Sequence, residues 1–250
     1  MRTQLGFSQK VQDLRLQYYL SRADIKKFKF PLSPVALPQI EYEIELITHF
    51  KKNETNEFIM RENAIKIIEL RYPEEAWLHI YTDSSLMEKY GNVGRPIGIY
   101  SKLFSFRQTL GPYYTNFEGE IEAIRIALTQ LKNFVNHFQK AVIFCDSRAA
   151  IEAIAKLHDP KTNRVKNVQD EINSLQQNNK SITIQWIPSH CGLNGNERAD
   201  LLAKKGTTIM QIRKYKISYL GIKRIINYKF KEEYCRKLTK SHVKEKSGEA

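Results

Sequence analysis

The sequence predicts an α/β layer fold in which a five-stranded mixed sheet is flanked by helices. Short runs rich in β-branched and aromatic residues occupy residues 77–82, 96–103, 104–110, 141–145 and 181–187. Segments of helical pattern cover residues 117–139, 147–157, 165–177 and 196–205. Three strands come first, then strands and helices interleave, and that order implies a mixed sheet with helices packed on it.

Each element has a local reason. Trp77-Leu-His-Ile-Tyr-Thr82 is a compact strand that terminates at Asp83, and a Gly-containing loop follows it. Residues 96–103 and 104–110 form the next two strands, and Gly111-Pro112 breaks the pattern. Between residues 117 and 139, Ile121, Ile124, Leu128, Leu131, Val135 and Phe138 fall on one stripe of a helix. Ala141-Val-Ile-Phe-Cys145 is an uninterrupted apolar run, expected as a central buried strand, and it stops at Asp146. Ser147 stands where it can cap the helix that follows. The alternating run at 181–187 ends at Pro188, and a loop containing Gly192 and Gly195 leads into the last helix.

The rest of the chain divides around this domain, placed at residues 77–210. Residues 1–76 read as an N-terminal appendage or linker. It would hold a short helix over 11–23, a proline-punctuated extended stretch over 30–38, and a second helix over 56–70 that Pro73 ends. Residues 211–250 read as a basic C-terminal tail. The formal charge of +13 is concentrated there: the tail has 12 basic and 4 acidic groups, against 16 and 12 in the central domain and 12 and 11 in the first 76 residues. Such a balance suits a polyanionic partner through counterion release, although basic charge also simply solvates surfaces. Cys145, Cys191 and Cys235 have neither zinc-ribbon nor disulfide-framework spacing, and no apolar run is long enough for a membrane span. An intracellular protein with no membrane partner is expected, nucleus or cytoplasm unresolved.

The acidic residues point to chemistry. Asp83 and Asp146 each follow a hydrophobic strand, at the sheet edge where α/β folds bind ligands. If the two strands are adjacent, their carboxylates meet and repel, and a divalent cation is the usual compensation. At ~100° per residue, Glu120 falls within the apolar stripe of its helix, while Glu122 faces the opposite side and Glu118 lies well off the stripe. An inward carboxylate needs a partner; a first-turn glutamate that merely complements the helix dipole is the plainer alternative. Asp200 lies beside Ala199, Leu202 and Ala203, where it either completes a carboxylate pocket or is a solvated helix charge. His190 sits in the glycine-containing loop, as a proton shuttle or as an ordinary surface residue.

Together, Thr82-Asp83-Ser84-Ser85, Gly119-Glu120-Ile121-Glu122-Ala123-Ile124, Phe144-Cys145-Asp146-Ser147 and the segment from Trp186 to Asp200 resemble the motifs of type 1 ribonuclease H, in order and at similar separations. The stretch Ile187-Pro-Ser-His-Cys-Gly-Leu-Asn-Gly-Asn-Glu-Arg-Ala-Asp200 is most similar to the domain at the C-terminal end of non-LTR retrotransposon reverse transcriptases. The resemblance covers residues 77 to about 210. One departure is Ser84, where the family often has Gly; it adds a side chain beside the site and removes no ligand.

The resemblance implies a ribonuclease H-like fold and a metal-dependent endonuclease that hydrolyses the RNA strand of RNA–DNA hybrids, leaving 5′-phosphomonoesters. It further implies that Asp83, Glu120, Asp146 and Asp200 bind two Mg²⁺, with Mn²⁺ as a substitute, and that His190 assists. Asn116 is a candidate for the nucleic-acid minor groove, with a helix cap as the equal alternative. Ser147 and Arg148 open a helix whose N-terminus suits a phosphate. Arg213, Lys214, Lys216, Lys223 and Arg224 either extend the basic footprint or belong to a helix docked on the core. No Tyr-x-Asp-Asp polymerase motif occurs, so the expected chain is a monomer or a piece of a former reverse transcriptase polyprotein. The competing readings are a catalytically inactive hybrid-binding module from a decayed element and an integrase-like strand transferase.

Overall fold

The computed structural model describes residues 40–46, 56–85, 87–89, 92–111, 114–156, 162–206, 221–223, 226–231 and 233–236. The expected helix at 11–23, the linker at 30–38 and most of the basic tail lie outside the described residues. The chain divides into two compact units, the larger built from residues 28–112 and 116–213. In the smaller unit the described parts of residues 221–236 are helical, with Tyr228, Phe230 and Tyr234 exposed.

The larger unit is a mixed sheet between helices. In chain order its elements are β1 (Glu41–Glu43), α1 (Glu57–Arg71), β2 (Leu78–Ser84), β3 (Met87–Lys89), β4 (Asn92–Ser101), β5 (Ser105–Leu110), α2 (Asn116–Lys132), a 3-10 turn (Val135–His137), β6 (Lys140–Cys145), α3 (Arg148–Ala155), α4 (Asn163–Gln176), β7 (Ser181–Trp186) and α5 (Asn194–Gly206). The strands β1, β7, β6 and β2 run parallel as neighbours, β4 is antiparallel to β2, and β5 is antiparallel to β4.

The sheet is therefore six strands wide, not five. The sixth is β1, which pairs in parallel with β7 through Tyr42 opposite Ile184. Its three residues, Glu-Tyr-Glu, are all exposed and carry no apolar alternation, so nothing local marks it as a strand. β3 does not widen the sheet. It continues the β2–β4 hairpin in the same register, through Ser84 opposite Ile97, Ser85 N–H donating to Pro96 O, and Met87 opposite Gly94. What sequence reading gives as a loop after Asp83 is the far end of that hairpin.

Helix α1 forms where the 56–70 expectation places it, capped by Asn56, whose Oδ1 accepts from the Phe58 N–H at 3.0 Å. Its buried face (Met60, Ala64, Ile67) shares one hydrophobic cluster with Leu46, Tyr72, Val142, Phe144, Ile187, Cys191 and Leu193. The boundary drawn at residue 77 passes through this cluster. Tyr72 is held by an edge contact to Phe144 and by its hydroxyl donating to Gln185 Oε1 at 3.0 Å.

Helix α2 buries Ile121, Ile124, Leu128 and Leu131, the stripe read from the sequence, but ends at Lys132 and not near 139. Beyond it Phe134 stacks on Phe104 at 5.6 Å, and the chain tightens into the 3-10 turn. Glu118 and Glu122 are also buried, contrary to the single-stripe reading. Helix α4 covers that side and contributes Arg164, which lies 3.4 Å from Glu118 and 3.8 Å from Glu122, while Arg125 donates to Glu122 at 2.7 Å.

Candidate active site

Register alone brings two of the acids together. In the parallel pair β2–β6, Tyr81 stands opposite Phe144. Two residues further along each strand are Asp83 and Asp146, so both reach the same level of the sheet edge. Thr82 Oγ1 donates to the Phe144 carbonyl at 3.3 Å, and Trp186 Nε1 donates to the Asp146 carbonyl at 3.0 Å, fixing the backbone on either side.

Glu120 arrives from α2. A Cβ at Gly119 would come within 2.1 Å of Ser84 Oγ and 3.1 Å of Ser84 Cβ, so glycine there lets the helix start close against β2 without displacing the Ser84 side chain. Glu120 is 2% exposed. Ligand atoms of Glu120, Cys145 and Asp146 all lie within 4.8 Å of one another, with Cys145 Sγ 3.9 Å from Glu120 Oε2.

Asp200 arrives from α5 by a second close approach. Gly98 of β4 is the residue opposite Asp83. A Cβ there would lie 1.9 Å from the Ala199 carbonyl oxygen, so the backbone of α5 rests directly on the strand beside Asp83. At the start of the same helix, Gly195 packs on the ring of Tyr81, itself stacked on Phe144 at 4.8 Å.

The electrostatics show that these acids act on one another. Burial pushes the Asp83 carboxyl up to about 7, and the negative charges of Asp146 and Asp200 push the same way while Lys204 opposes them. Glu120 is raised well above the ordinary carboxylate range by burial, then by Asp146 and Asp83, against smaller lowering effects from the Ser84 backbone and Arg95. Lys204 Nζ sits 2.5 Å from Asp200 Oδ2 but is 63% exposed, so solvent weakens its compensation. Asp83 and Glu120 thus both feel the charge of Asp146, and Asp83 that of Asp200 as well, with Lys204 offsetting at Asp83 and Arg95 at Glu120 only in part. An all-oxygen anionic cluster of this kind fits hard divalent cations. The adjoining Cys145 thiol is buried and its pKa raised, first by desolvation and then by Glu120 and Asp146, which favours the neutral thiol.

The other expected residues are placed as follows. His190 is exposed on the β7–α5 loop with left-handed backbone (φ 53°), followed by Gly192 at φ 76°. Asn116 is the first helical residue of α2, and its Oδ1 accepts from Arg95 Nη1 at 3.2 Å. Ser147 caps α3 by accepting from the Ala150 N–H at 3.3 Å. Arg148, exposed, lies over the Trp186 ring at 3.9 Å. Of the five tail residues singled out, Arg213, Lys214, Lys216, Lys223 and Arg224, only Lys223 falls among the described residues, and it is exposed.

Sequence reasoning missed Arg95, Lys204 and Trp186 as parts of this site. Lys204 was legible as an i,i+4 partner of Asp200. Arg95 and Trp186 carry no local signal, because what they touch is distant in sequence. Among the described residues no helix is long and apolar enough to cross a membrane.

Comparisons with known proteins place the chain among relatives of one family. The RNase H family model matches residues 45–208. Ribonuclease H1 from Rattus norvegicus is 34% identical over 102 residues, covering 37% of this chain and 35% of that protein; the Homo sapiens protein is 33% identical over the same length. The chain thus spans about a third of the length of these relatives. The Pol polyprotein of caprine arthritis encephalitis virus (strain Cork) is 28% identical over 146 residues, 56% of this chain and 12% of the polyprotein. Among solved structures, RNase H1 from the halophilic archaeon Halobacterium salinarum NRC-1 aligns with a TM-score of 0.40 and 21% identity, covering 53% of this chain and 98% of that one. With the family match spanning well over half its length and reaching through the last helix of the site, the chain belongs to the RNase H family.

Proposed function

We propose that this chain is a metal-dependent ribonuclease H that cuts the RNA strand of RNA–DNA hybrids endonucleolytically and leaves 5′-phosphate and 3′-hydroxyl ends. The observation that carries this reading is that, in a chain of this family, the buried carboxyls of Asp83 and Glu120 are both pushed up by burial and by the charge of Asp146, with Asp200 adding to the effect on Asp83.

Two divalent ions, Mg²⁺ or Mn²⁺, supply an activated water and neutralise charge on the leaving oxygen when bound there. Asp83 and Asp146, delivered side by side by the β2–β6 register, are the residues suited to hold ions in common. Glu120 closes one side of the site and Asp200 the other. Glu120 also presents a carboxylate that can accept a 2′-hydroxyl, the group that distinguishes RNA from DNA. His190, exposed on a loop with left-handed backbone at two of three successive residues, is placed to carry a proton between site and solvent. Ser147 and Arg148, at the N-terminus of α3 beside Asp146, supply backbone N–H groups and a guanidinium for a substrate phosphate. Asn116 faces the minor groove.

The catalytic unit on this reading runs from about residue 40 to 206 and includes β1 and α1. The Ile187–Asp200 motif supports an origin in a non-LTR retrotransposon reverse transcriptase, and the similarity to a viral Pol polyprotein supports a larger precursor. The test is strand-specific cleavage: a labelled hybrid, single-stranded RNA, duplex RNA and duplex DNA are incubated with Mg²⁺. Cutting confined to the RNA of the hybrid, with 5′-phosphate ends, is expected; a single 2′-deoxy step at the cleavage position slows it. A folded protein that binds the hybrid without cutting it refutes the enzymatic reading in favour of a decayed binding module.

A further inference from the structure

Arg95 is a buried cation, 6% exposed, in β4, the strand next to the edge strand β5, and stands opposite Leu110 at the end of their pairing. Its aliphatic stem passes the N-terminus of α2: a Cβ built on Gly119 would lie 3.8 Å from Arg95 Cδ. Its guanidinium reaches the first residue of that helix, with Nη1 3.2 Å from Asn116 Oδ1. Its charge also acts on Glu120, four residues further along α2, lowering that carboxyl against the rise caused by burial. One buried arginine therefore touches the candidate substrate-reading residue and influences the candidate metal ligand.

The chemistry of the contact fixes a direction. Guanidinium only donates hydrogen bonds. The amide of Asn116 must then turn its carbonyl oxygen inward to Arg95, which leaves Nδ2, the donor end, for the exposed side. A free asparagine on a helix terminus would flip and present either end. A buried arginine, whose desolvation is costly if its partner is lost, holds one orientation.

We infer that Arg95 is a positioning residue that locks the Asn116 amide with its donor end toward the substrate, so that the site recognises hydrogen-bond acceptors along the minor groove of an RNA–DNA hybrid. This inference rests on the hybrid-cleaving reading above. Acceptors at purine N3 and pyrimidine O2 occur on every base pair in that groove. A fixed donor there holds the duplex in register without choosing a sequence, whereas a flipping amide would lose part of that contact.

The test measures hybrid affinity and cleavage for Arg95→Met, Arg95→Lys, Asn116→Ala, Asn116→Asp and the double variant Arg95→Met/Asn116→Ala. Affinity is read in the Asp146→Asn background so that the substrate stays intact, and melting temperature is recorded for each protein. Asn116→Asp keeps an acceptor for Arg95 but has no donor, so it is expected to weaken hybrid binding as much as Asn116→Ala, about tenfold. Arg95→Met is expected to raise KM by a similar factor with a smaller change in kcat, Arg95→Lys to recover part of the loss, and Arg95→Met to add less than about twofold once Asn116 is Ala. Full binding by Asn116→Asp, or equal effects of Arg95→Met with and without Asn116, overturns the inference while leaving the enzymatic reading intact. A wild-type chain that neither binds nor cuts the hybrid overturns both.

Discussion

Helix α2 buries three glutamates within five residues, and two of them live in a different world from the third. Glu118 and Glu122 face α4, where Arg164 approaches both and Arg125 donates to Glu122. Glu120 faces the sheet edge, where its strongest neighbours after burial itself are Asp146 and Asp83. The first two are satisfied by guanidinium groups that the fold supplies. The third has carboxylates as its strongest charged neighbours, which Arg95 offsets only in part. A buried carboxylate with a cation beside it holds helices together; a buried carboxylate among carboxylates calls for a cation from outside.

The largest expected effect breaks the Glu120 side of the comparison. Glu120→Gln, Asp83→Asn or Asp146→Asn is expected to reduce hybrid cleavage in Mg²⁺ by more than about 100-fold, since outer-shell partners of metal ligands already cost about 10- to 100-fold and a direct ligand costs more. Retained activity in any of the three, measured on folded protein, removes that residue from the proposed site. The Glu118 side is broken by Arg164→Met, which takes Arg164 away from a glutamate that is 2% exposed. Because Arg164 itself is 20% exposed, the loss of stability is expected at about 2 kcal/mol, below the range for fully buried pairs. Denaturant unfolding checks it. His190→Ala is a smaller lesion, lowering kcat by about 10- to 100-fold as removal of a general acid–base group does, with little change in melting temperature.

The pH dependence sharpens the same contrast. The folded carboxyl of Asp83 titrates at about 7 against an ordinary value of 3.8. Between those values the folded state holds more protons than the unfolded state at this group, so its contribution to metal-free stability is full below about pH 4 and is lost as pH rises through about 7. Glu120 is shifted in the same direction and adds to the trend. Asp83→Asn is expected to flatten it and to raise metal-free stability at pH 8 by about 1–2 kcal/mol. Mg²⁺ is expected to do the same for the wild-type chain, because a ligand that binds only the folded state stabilises it. Thermal unfolding at pH 5.5 and 8, with and without Mg²⁺, reads all three, and a pH-independent metal-free protein contradicts the argument.

How much of this was legible in the sequence follows from the range of the interactions. Asp83 and Asp146 could be placed because each ends a hydrophobic run, and the strand period carries both to one edge. The inward angle of Glu120 followed from helix geometry. Asp200 stood beside apolar helix positions that left a pocket carboxylate and a solvated helix charge as alternatives, and the resemblance of its segment favoured the first; its position depends on Gly98, about a hundred residues earlier, allowing α5 to touch β4. The burial of Glu118 and Glu122 was invisible for a similar reason. One stripe marks the face a helix turns to the sheet, and α4 covers a second face that polar residues occupy as ion pairs. β1 was missed because an exposed Glu-Tyr-Glu edge strand has no apolar pattern, and α1 was found as a helix but not as part of the core, since its partners lie around residues 142–193.

The comparison within α2 is tested most directly by calorimetric titration of the metal-free protein with Mn²⁺, using wild type, Glu120→Gln and Glu118→Gln at pH 7.5–8. Binding that is lost or strongly weakened in Glu120→Gln and kept in Glu118→Gln is the predicted result. Equal binding by Glu120→Gln and wild type would contradict the account, because the glutamate that the fold leaves among other carboxylates would then hold no metal.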